Sequence, residues 1–299
     1  MHSIRKLRRG RLAVAAIAVV AAVPLVAANS ASAASYAPPY DIFNNCPVDD
    51  PGMLSADSEA ACIGALASGG TMKLGNMETE LGPQLTSMGL YNAPGDPLTA
   101  ITVPGAGGKT LDAVPVKVPG GLLNMMCPGD PAKNLITQIC KTLADSALNK
   151  VTATAVAAGA PQFSLTPGPT VPIKIKLDNP LLGGNCYIGS DANPIVLNLA
   201  LGVTDETELG PGTPIPGYEQ LVIIAIKNAT FSDDTFEVPK AKGCGPLNLF
   251  DGAINNRVGL PSPSGNNSIF LEADVAVADV LGVPDPGIYL RDALASVAQ

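Results

Sequence analysis

Short segments in which apolar and polar residues alternate run through most of this chain, and turns rich in Pro, Gly and Asn separate them. Val114, Val116 and Val118 fall on one face of such a segment, as the two-residue period of a β-strand requires. Many short strands with intervening turns favour a mainly β fold, either an antiparallel β-sandwich or a barrel. Residues 221–226 are apolar throughout, which predicts a central strand covered on both faces. The predicted strands span residues 71–81, 98–103, 111–118, 151–156, 172–178, 195–203, 220–229, 235–238 and 268–278.

One segment has the four-residue spacing of an amphipathic helix. Leu135, Ile139 and Leu143 recur on one face, Asp130 suits the N-cap, and Pro131 suits the first helical position. The pattern predicts a helix over about residues 131–148 that packs on the β core, and residues 247–256 predict a second, short helix.

The first 33 residues have the three regions of a secretory signal peptide. Five basic residues and no acid come first, an apolar run follows at 12–28, and Ala31 and Ala33 supply the small residues that signal peptidase accepts. Pro24 interrupts the apolar run, which is short for a membrane span. We expect cleavage after Ala33. The mature chain is then a single β-rich domain at 34–299 that begins with an irregular N-terminal arm at 34–60.

The composition of the chain excludes several classes of binding partner and of catalytic mechanism. The mature chain keeps 13 of the 18 basic residues and all 26 acids, so its net charge is about −13 and it repels nucleic acid and anionic headgroups. The only histidine, His2, lies in the signal peptide, which excludes Ser-His-Asp and Cys-His mechanisms and histidine zinc sites. We expect no organic cofactor. We also expect no transmembrane anchor in the mature chain, which is secreted and either free or held non-covalently at the cell envelope.

Six cysteines all lie in the mature chain, and an even number in an exported protein predicts disulfide bonds. Six cysteines allow 15 pairings. We expect the sequential pairing, because two of its three bridges close short local loops and the third clamps a longer β segment. The expected pairs are Cys46–Cys62, Cys127–Cys140 and Cys186–Cys244.

Two groups of acids in predicted loops are the best candidates for a calcium site, since calcium prefers several oxygen ligands from a flexible loop. They are Asp205, Glu206 and Glu208, and then Asp233 with Asp234. Neither group has the EF-hand spacing, so solvated loop charge is the simpler interpretation. A pair among them could also act as general acid and base in a hydrolase, but no residue is identified as catalytic.

Three segments resemble a family of uncharacterised exported proteins from high-GC Gram-positive bacteria. They are VPGGLLNMMCP at 118–128, DNPLLGGNCYIGS at 178–190 and GLPSPSGNNS at 259–268. The resemblance extends over most of the mature chain and its cysteines. It implies export and a shared disulfide core, and it brings no activity, cofactor or catalytic residue.

Three functions remain open. The leading hypothesis is a non-enzymatic extracellular or envelope protein that binds an envelope component or a protein partner, or contributes to surface structure. The alternatives are an extracellular hydrolase that uses carboxylates and a carrier of a lipid or another apolar ligand. A lined internal cavity would favour the carrier, and two acids in one concave pocket would favour the hydrolase.

Overall fold

Strands account for most of the chain, as the short alternating segments predict. The computed structural model describes residues 35–93, 95–96, 99–126, 146, 148–163 and 168–298. These residues form two antiparallel sheets, one of them curled into a half-barrel, and four α-helices. The expected mainly β, antiparallel architecture is confirmed.

The first sheet contains nine described strands, and six of them pair side by side in the order β11-β13-β15-β1-β3-β4. The short strands β12, β2 and β5 pair with β13, β1 and β3 respectively. Their bounds are β1 Glu59–Leu74, β2 Met77–Leu81, β3 Gln84–Asn92, β4 Ala100–Pro104, β5 Leu111–Ala113, β11 Ala200–Gly202, β12 Glu208–Pro211, β13 Leu221–Asp233 and β15 Ser268–Leu281.

The second sheet contains six described strands in the order β14-β9-β8-β7-β6, with β10 also paired to β8. Its strands are β6 Val116–Lys117, β7 Thr152–Ala157, β8 Thr170–Asp178, β9 Tyr187–Ile188, β10 Ile195–Asn198 and β14 Ala241–Lys242. The helices are α1 Pro51–Leu54, α2 Gly121–Met126, α3 Asp251–Val258 and α4 Pro286–Ala295.

The two hydrophobic cores lie on opposite faces of the first sheet. In β15, Leu271 and Ala273 face the core between the two sheets, whereas Ala278 and Val280 face a second core on the other side. The second core is closed by the N-terminal segment and α4, which contribute Phe43, Met53, Leu290 and Leu294 among others. The expected irregular arm therefore contains short helices and packs against the sheet.

This arrangement corrects the expectation that residues 221–226 are covered on both faces. β13 is central in its sheet, and Leu221 and Ile223 are buried in the second core. However, Val222 is 54% exposed and Ile224 is 46% exposed. The second sheet packs near the far end of β13, at Ala229, and leaves this end of the opposite face open.

Several predicted strands are divided or absent. The segment 111–118 is divided at Pro115, so that β5 joins the first sheet and β6 joins the second, and the segment 195–203 is divided in the same way. A turn after Leu74 divides the segment 71–81 into a hairpin. The strand predicted at 235–238 is wrong. Only Val238 forms a β-bridge, because the Asp233 carboxylate accepts the Thr235 N–H and turns the chain.

Some expectations concern residues outside the described part of the chain. These are the signal peptide at 1–33, the amphipathic helix except for residues 146 and 148, which lie in a bend and a turn, and the Cys127–Cys140 bond. The short helix expected at 247–256 is present as a 3₁₀ turn at Pro246–Asn248 followed by α3.

Candidate binding site between the two sheets

An apolar cavity of about 70 Å³ lies between the two sheets, beside the first core. Strands β1 and β2 form one wall, and β6 to β9 form the other. All but two of the described lining residues are apolar. The lining consists of Met72, Leu74, Met77, Leu81, Val116, Val118, Pro119, Ala153, Ala155, Ile175, Leu177, Ile188 and Val258, together with Glu78 and Thr79.

Small side chains on β7 leave this space open. Ala153 and Ala155 point into the cavity beside their cross-strand partners Leu177 and Ile175. Alanine fills little of the volume that a larger apolar residue would occupy at the same position. Met72, on the opposite wall, is unbranched and flexible, so that wall can adapt to an occupant.

The size of the cavity limits what it can hold. One water-sized sphere takes about 15 Å³, so the cavity accommodates roughly five such spheres. That is space for a short apolar chain end, and it is less than half of the roughly 150 Å³ of an engineered cavity that binds benzene. The site therefore fits an apolar group that belongs to a larger ligand, or a small apolar molecule.

A second cavity, of about 260 Å³, lies beside the second core. Its rim contains Tyr40, Asp41, Lys227 and Asp274. The Tyr40 hydroxyl donates to a backbone carbonyl at 3.0 Å, and the Asp274 carboxylate accepts a backbone N–H at 2.9 Å. Lys227 and Asp274 are exposed, so water solvates them well. The larger cavity is thus the less favourable place for an apolar ligand.

The acids named as calcium candidates do not form a cluster of metal ligands. Asp205, Glu206 and Glu208 are exposed at the turn into β12, and Asp234 is exposed after β13. Asp233 is buried, and its carboxylate accepts three hydrogen bonds, from the Asn198 N–H at 2.7 Å and from the Thr235 N–H and hydroxyl at 2.8 and 2.7 Å. Within the described residues, no three His, Cys, Asp or Glu side chains come close enough to hold a metal ion.

Sequence reasoning missed one unusual carboxyl group, Asp279 in β15. Burial raises its pKa, the negative charge of Glu59 raises it further, and a bond from the Val280 backbone lowers it less. One of its carboxylate oxygens is buried without a hydrogen-bond partner. The sequence feature that could have identified Asp279 is the position of an acid within the otherwise apolar run 275–280. Asp279 does not line either cavity, so it adds no chemistry to them.

The described part of the chain contains two disulfides, Cys46–Cys62 and Cys186–Cys244, which are two of the three expected pairs. Disulfides are typical of proteins in oxidising compartments, including the extracellular space. Within the described residues, no helix has the length and hydrophobicity needed to span a bilayer.

Comparison with known proteins adds no function to this picture. No protein-family model, no curated protein and no solved structure matches this chain. The resemblance to exported bacterial proteins stays a prediction, and the cavity between the sheets is the feature from which a function can be argued.

Proposed function

We propose that this protein is an exported, non-enzymatic binding protein whose ligand places a short apolar group in the cavity between the two sheets. The observation that carries the proposal is the cavity itself, which is apolar on both walls and has space for a short apolar chain end. Export is supported by the signal-like N-terminus and by the two disulfides.

A binding role is favoured over hydrolysis by the chemistry of the lining. A glycosidase-type mechanism needs two carboxyl groups about 5–10 Å apart around the reacting bond. Glu78 is the only carboxylate among the described lining residues, and Thr79 is the only other polar residue there. Asp233, the most buried of the hydrolase candidates, already accepts three hydrogen bonds.

The cavity alone supports only weak binding. Burying one apolar side chain of ordinary size contributes about 1.5–3 kcal/mol, whereas even a millimolar dissociation constant corresponds to about 4 kcal/mol. A biological ligand therefore needs further contacts outside the cavity. A minimal apolar molecule should still bind at millimolar concentration or above.

The test is a titration with 1-hexanol, a neutral molecule whose alkyl end can enter the cavity, monitored by NMR of protein labelled with ¹³C at the methionine methyl groups. Met72 and Met77 line the cavity and serve as probes. We expect saturable shifts of both signals in the wild type. Ala155→Phe fills the cavity and should abolish the shifts. If this variant folds poorly, Ala155→Leu introduces a smaller side chain at the same position and should reduce them.

The matched control is Thr154→Phe, which adds a ring on the other face of the same strand, where the cross-strand partner is Lys176. This variant should bind hexanol as the wild type does. Absence of any saturable shift, or unchanged binding in a folded Ala155→Phe or Ala155→Leu variant, would contradict the proposal.

A further inference from the structure

Strand β2 has a free edge among the described residues. Met77–Leu81 pairs with β1 on one side, and no described residue pairs with its other side. A two-residue turn joins the two strands, and Leu74 pairs with Met77 to close it. Because hydrogen-bonded and non-bonded pairs alternate along an antiparallel ladder, the N–H and C=O groups of Glu78 and Glu80 point away from β1.

This free edge borders the apolar cavity. Met77, Thr79 and Leu81 lie on the face of β2 that lines the cavity, and Val116 of β6 lies on the opposite wall. Among the described residues, β6 pairs only with β7, so the second sheet also ends here. Since alternate side chains of a strand point to opposite faces, a strand added beside β2 would direct every second side chain into the cavity.

The added strand would supply the contacts that the cavity alone lacks. Peptides that extend an exposed sheet edge gain affinity from main-chain hydrogen bonds and specificity from pockets for alternate side chains. The outward N–H groups of Glu78 and Glu80 provide donors for such bonds. The Thr79 hydroxyl donates to the Glu80 carbonyl at 3.3 Å, and no other described group bonds these outward backbone atoms.

The charge of the edge indicates the chemistry of its partner. Glu78 and Glu80 are both exposed, Glu78 where it also lines the cavity, and neither forms an ion pair with a described residue. Glu78 lies opposite Lys73 in the register with β1, whereas Glu80 lies opposite Thr71 and has no basic cross-strand neighbour. Opposite charges on adjacent strands attract each other, so Lys or Arg suits the outward positions of an added strand.

We propose that the ligand is an extended segment of a partner polypeptide that pairs with the free edge of β2, places an apolar side chain in the cavity and carries Lys or Arg at its outward positions. The inference rests on the proposed function, because the apolar group that the cavity accepts is here a side chain of the added strand.

The test uses a seven-residue, end-capped peptide in which lysines alternate with leucine and phenylalanine. A peptide of the same composition without the alternation serves as the peptide control. The informative variant is Glu80→Pro, which removes an outward N–H that the fold does not use, a substitution that edge strands tolerate. Glu80→Gln is the matched control, since it removes the charge and keeps the N–H.

We expect the alternating peptide to bind at least tenfold more tightly than its control and to slow hydrogen exchange at the Glu78 and Glu80 amides. Glu80→Pro should weaken peptide binding at least tenfold and leave hexanol binding unchanged. Glu80→Gln should weaken peptide binding only two- to threefold. At high salt, Glu80→Gln and the wild type should bind the peptide equally.

Two results would overturn this inference and leave the proposed function standing. One is hexanol binding in the wild type combined with equal peptide affinity in the wild type and Glu80→Pro. The other is a dimer of the wild type, seen by light scattering and absent in Glu80→Pro, which would assign the edge to a second copy of this chain. A failure of hexanol to bind would instead contradict the proposed function itself.

Discussion

The Asp233 carboxylate accepts a hydrogen bond from the Asn198 backbone N–H at 2.7 Å, and this bond joins the two sheets. Asp233 is the last residue of β13 in the first sheet, and Asn198 is the last residue of β10 in the second. The other carboxylate oxygen accepts the Thr235 N–H and hydroxyl. One buried side chain therefore lies at the end of a strand, turns the chain and bonds to the neighbouring sheet.

Replacement of Asp233 should destabilise the fold strongly. Asp233→Ala leaves the Asn198 and Thr235 N–H groups without their acceptor, and hydrogen bonds to charged groups contribute about 1.5–3 kcal/mol each. We expect the free energy of unfolding, measured in urea, to fall by about 3 kcal/mol. Asp234→Ala removes the exposed neighbouring carboxylate and should change it by less than about 0.5 kcal/mol. Equal effects of the two variants would contradict the structural role of Asp233.

The two described disulfides should differ in their contribution to stability. Cys186–Cys244 spans 58 residues and Cys46–Cys62 spans 16, and the longer loop loses more entropy when it is closed in the unfolded chain. The chain-entropy relation gives about 4 kcal/mol for the first and about 3 kcal/mol for the second. The double alanine variant of Cys186 and Cys244 should therefore unfold at lower denaturant than that of Cys46 and Cys62. The reverse order would contradict the entropic account.

The buried side chain of Asn267 connects the turn of the β1–β2 hairpin to neighbouring backbone segments by hydrogen bonds. Its side chain is buried, accepts the Gly75 N–H at 2.9 Å and donates to the Phe236 and Pro263 carbonyls at 2.9 Å. Gly75 has φ of 55°, and an added Cβ there would collide with the Val258 carbonyl, so this position of the turn requires glycine.

Asn267→Ala should lower the free energy of unfolding by about 2–4 kcal/mol, because it leaves several buried backbone groups unpaired. We also expect faster hydrogen exchange in β2, since the turn that carries the strand loses its inner support. Asn266→Ala, at the exposed neighbouring position, is the control and should leave both measurements unchanged. If amide exchange in β2 does not respond to Asn267→Ala, the hairpin is held by other contacts.

Strand β8 shows how much of the fold the sequence determines. Val171, Ile173, Ile175 and Leu177 are buried and alternate with partly exposed residues, and the strand predicted at 172–178 is present at Thr170–Asp178. Its period is visible because a single face of the strand is buried along its whole length. Turn positions were less predictable, since they depend on side-chain bonds such as that of Asp233.

β15 shows where periodicity alone fails. Its buried positions change phase near Val275 and Ala276, because the two ends of the strand face different cores. No local pattern reveals which face each end buries. The cavity could not be predicted from the sequence for a related reason. The pattern at Ala153 and Ala155 predicts a strand, but the space beside these residues depends on the position of the β1–β2 hairpin in the other sheet.

Asp279 should give the protein a pH-dependent stability. Burial and the nearby negative charge of Glu59 raise its pKa in the folded state above the ordinary value of 3.8. The folded state then binds this proton more tightly than the unfolded state does, so stability falls as the pH rises from 3.8 through the raised pKa. Above the raised pKa the carboxylate is ionised while partly buried, which is unfavourable.

Asp279→Asn keeps the shape of the side chain and removes its charge, together with the repulsion from Glu59, so it should stabilise the protein at neutral pH by about 1 kcal/mol. The gain should shrink toward pH 4, where Asp279 is increasingly protonated in the folded wild type. Thermal unfolding of both proteins from pH 4 to pH 8 provides the measurement, and Asp205→Asn, at an exposed turn, is the control. A stability difference that is the same at every pH would show that the effect comes from packing rather than from the ionisation of Asp279.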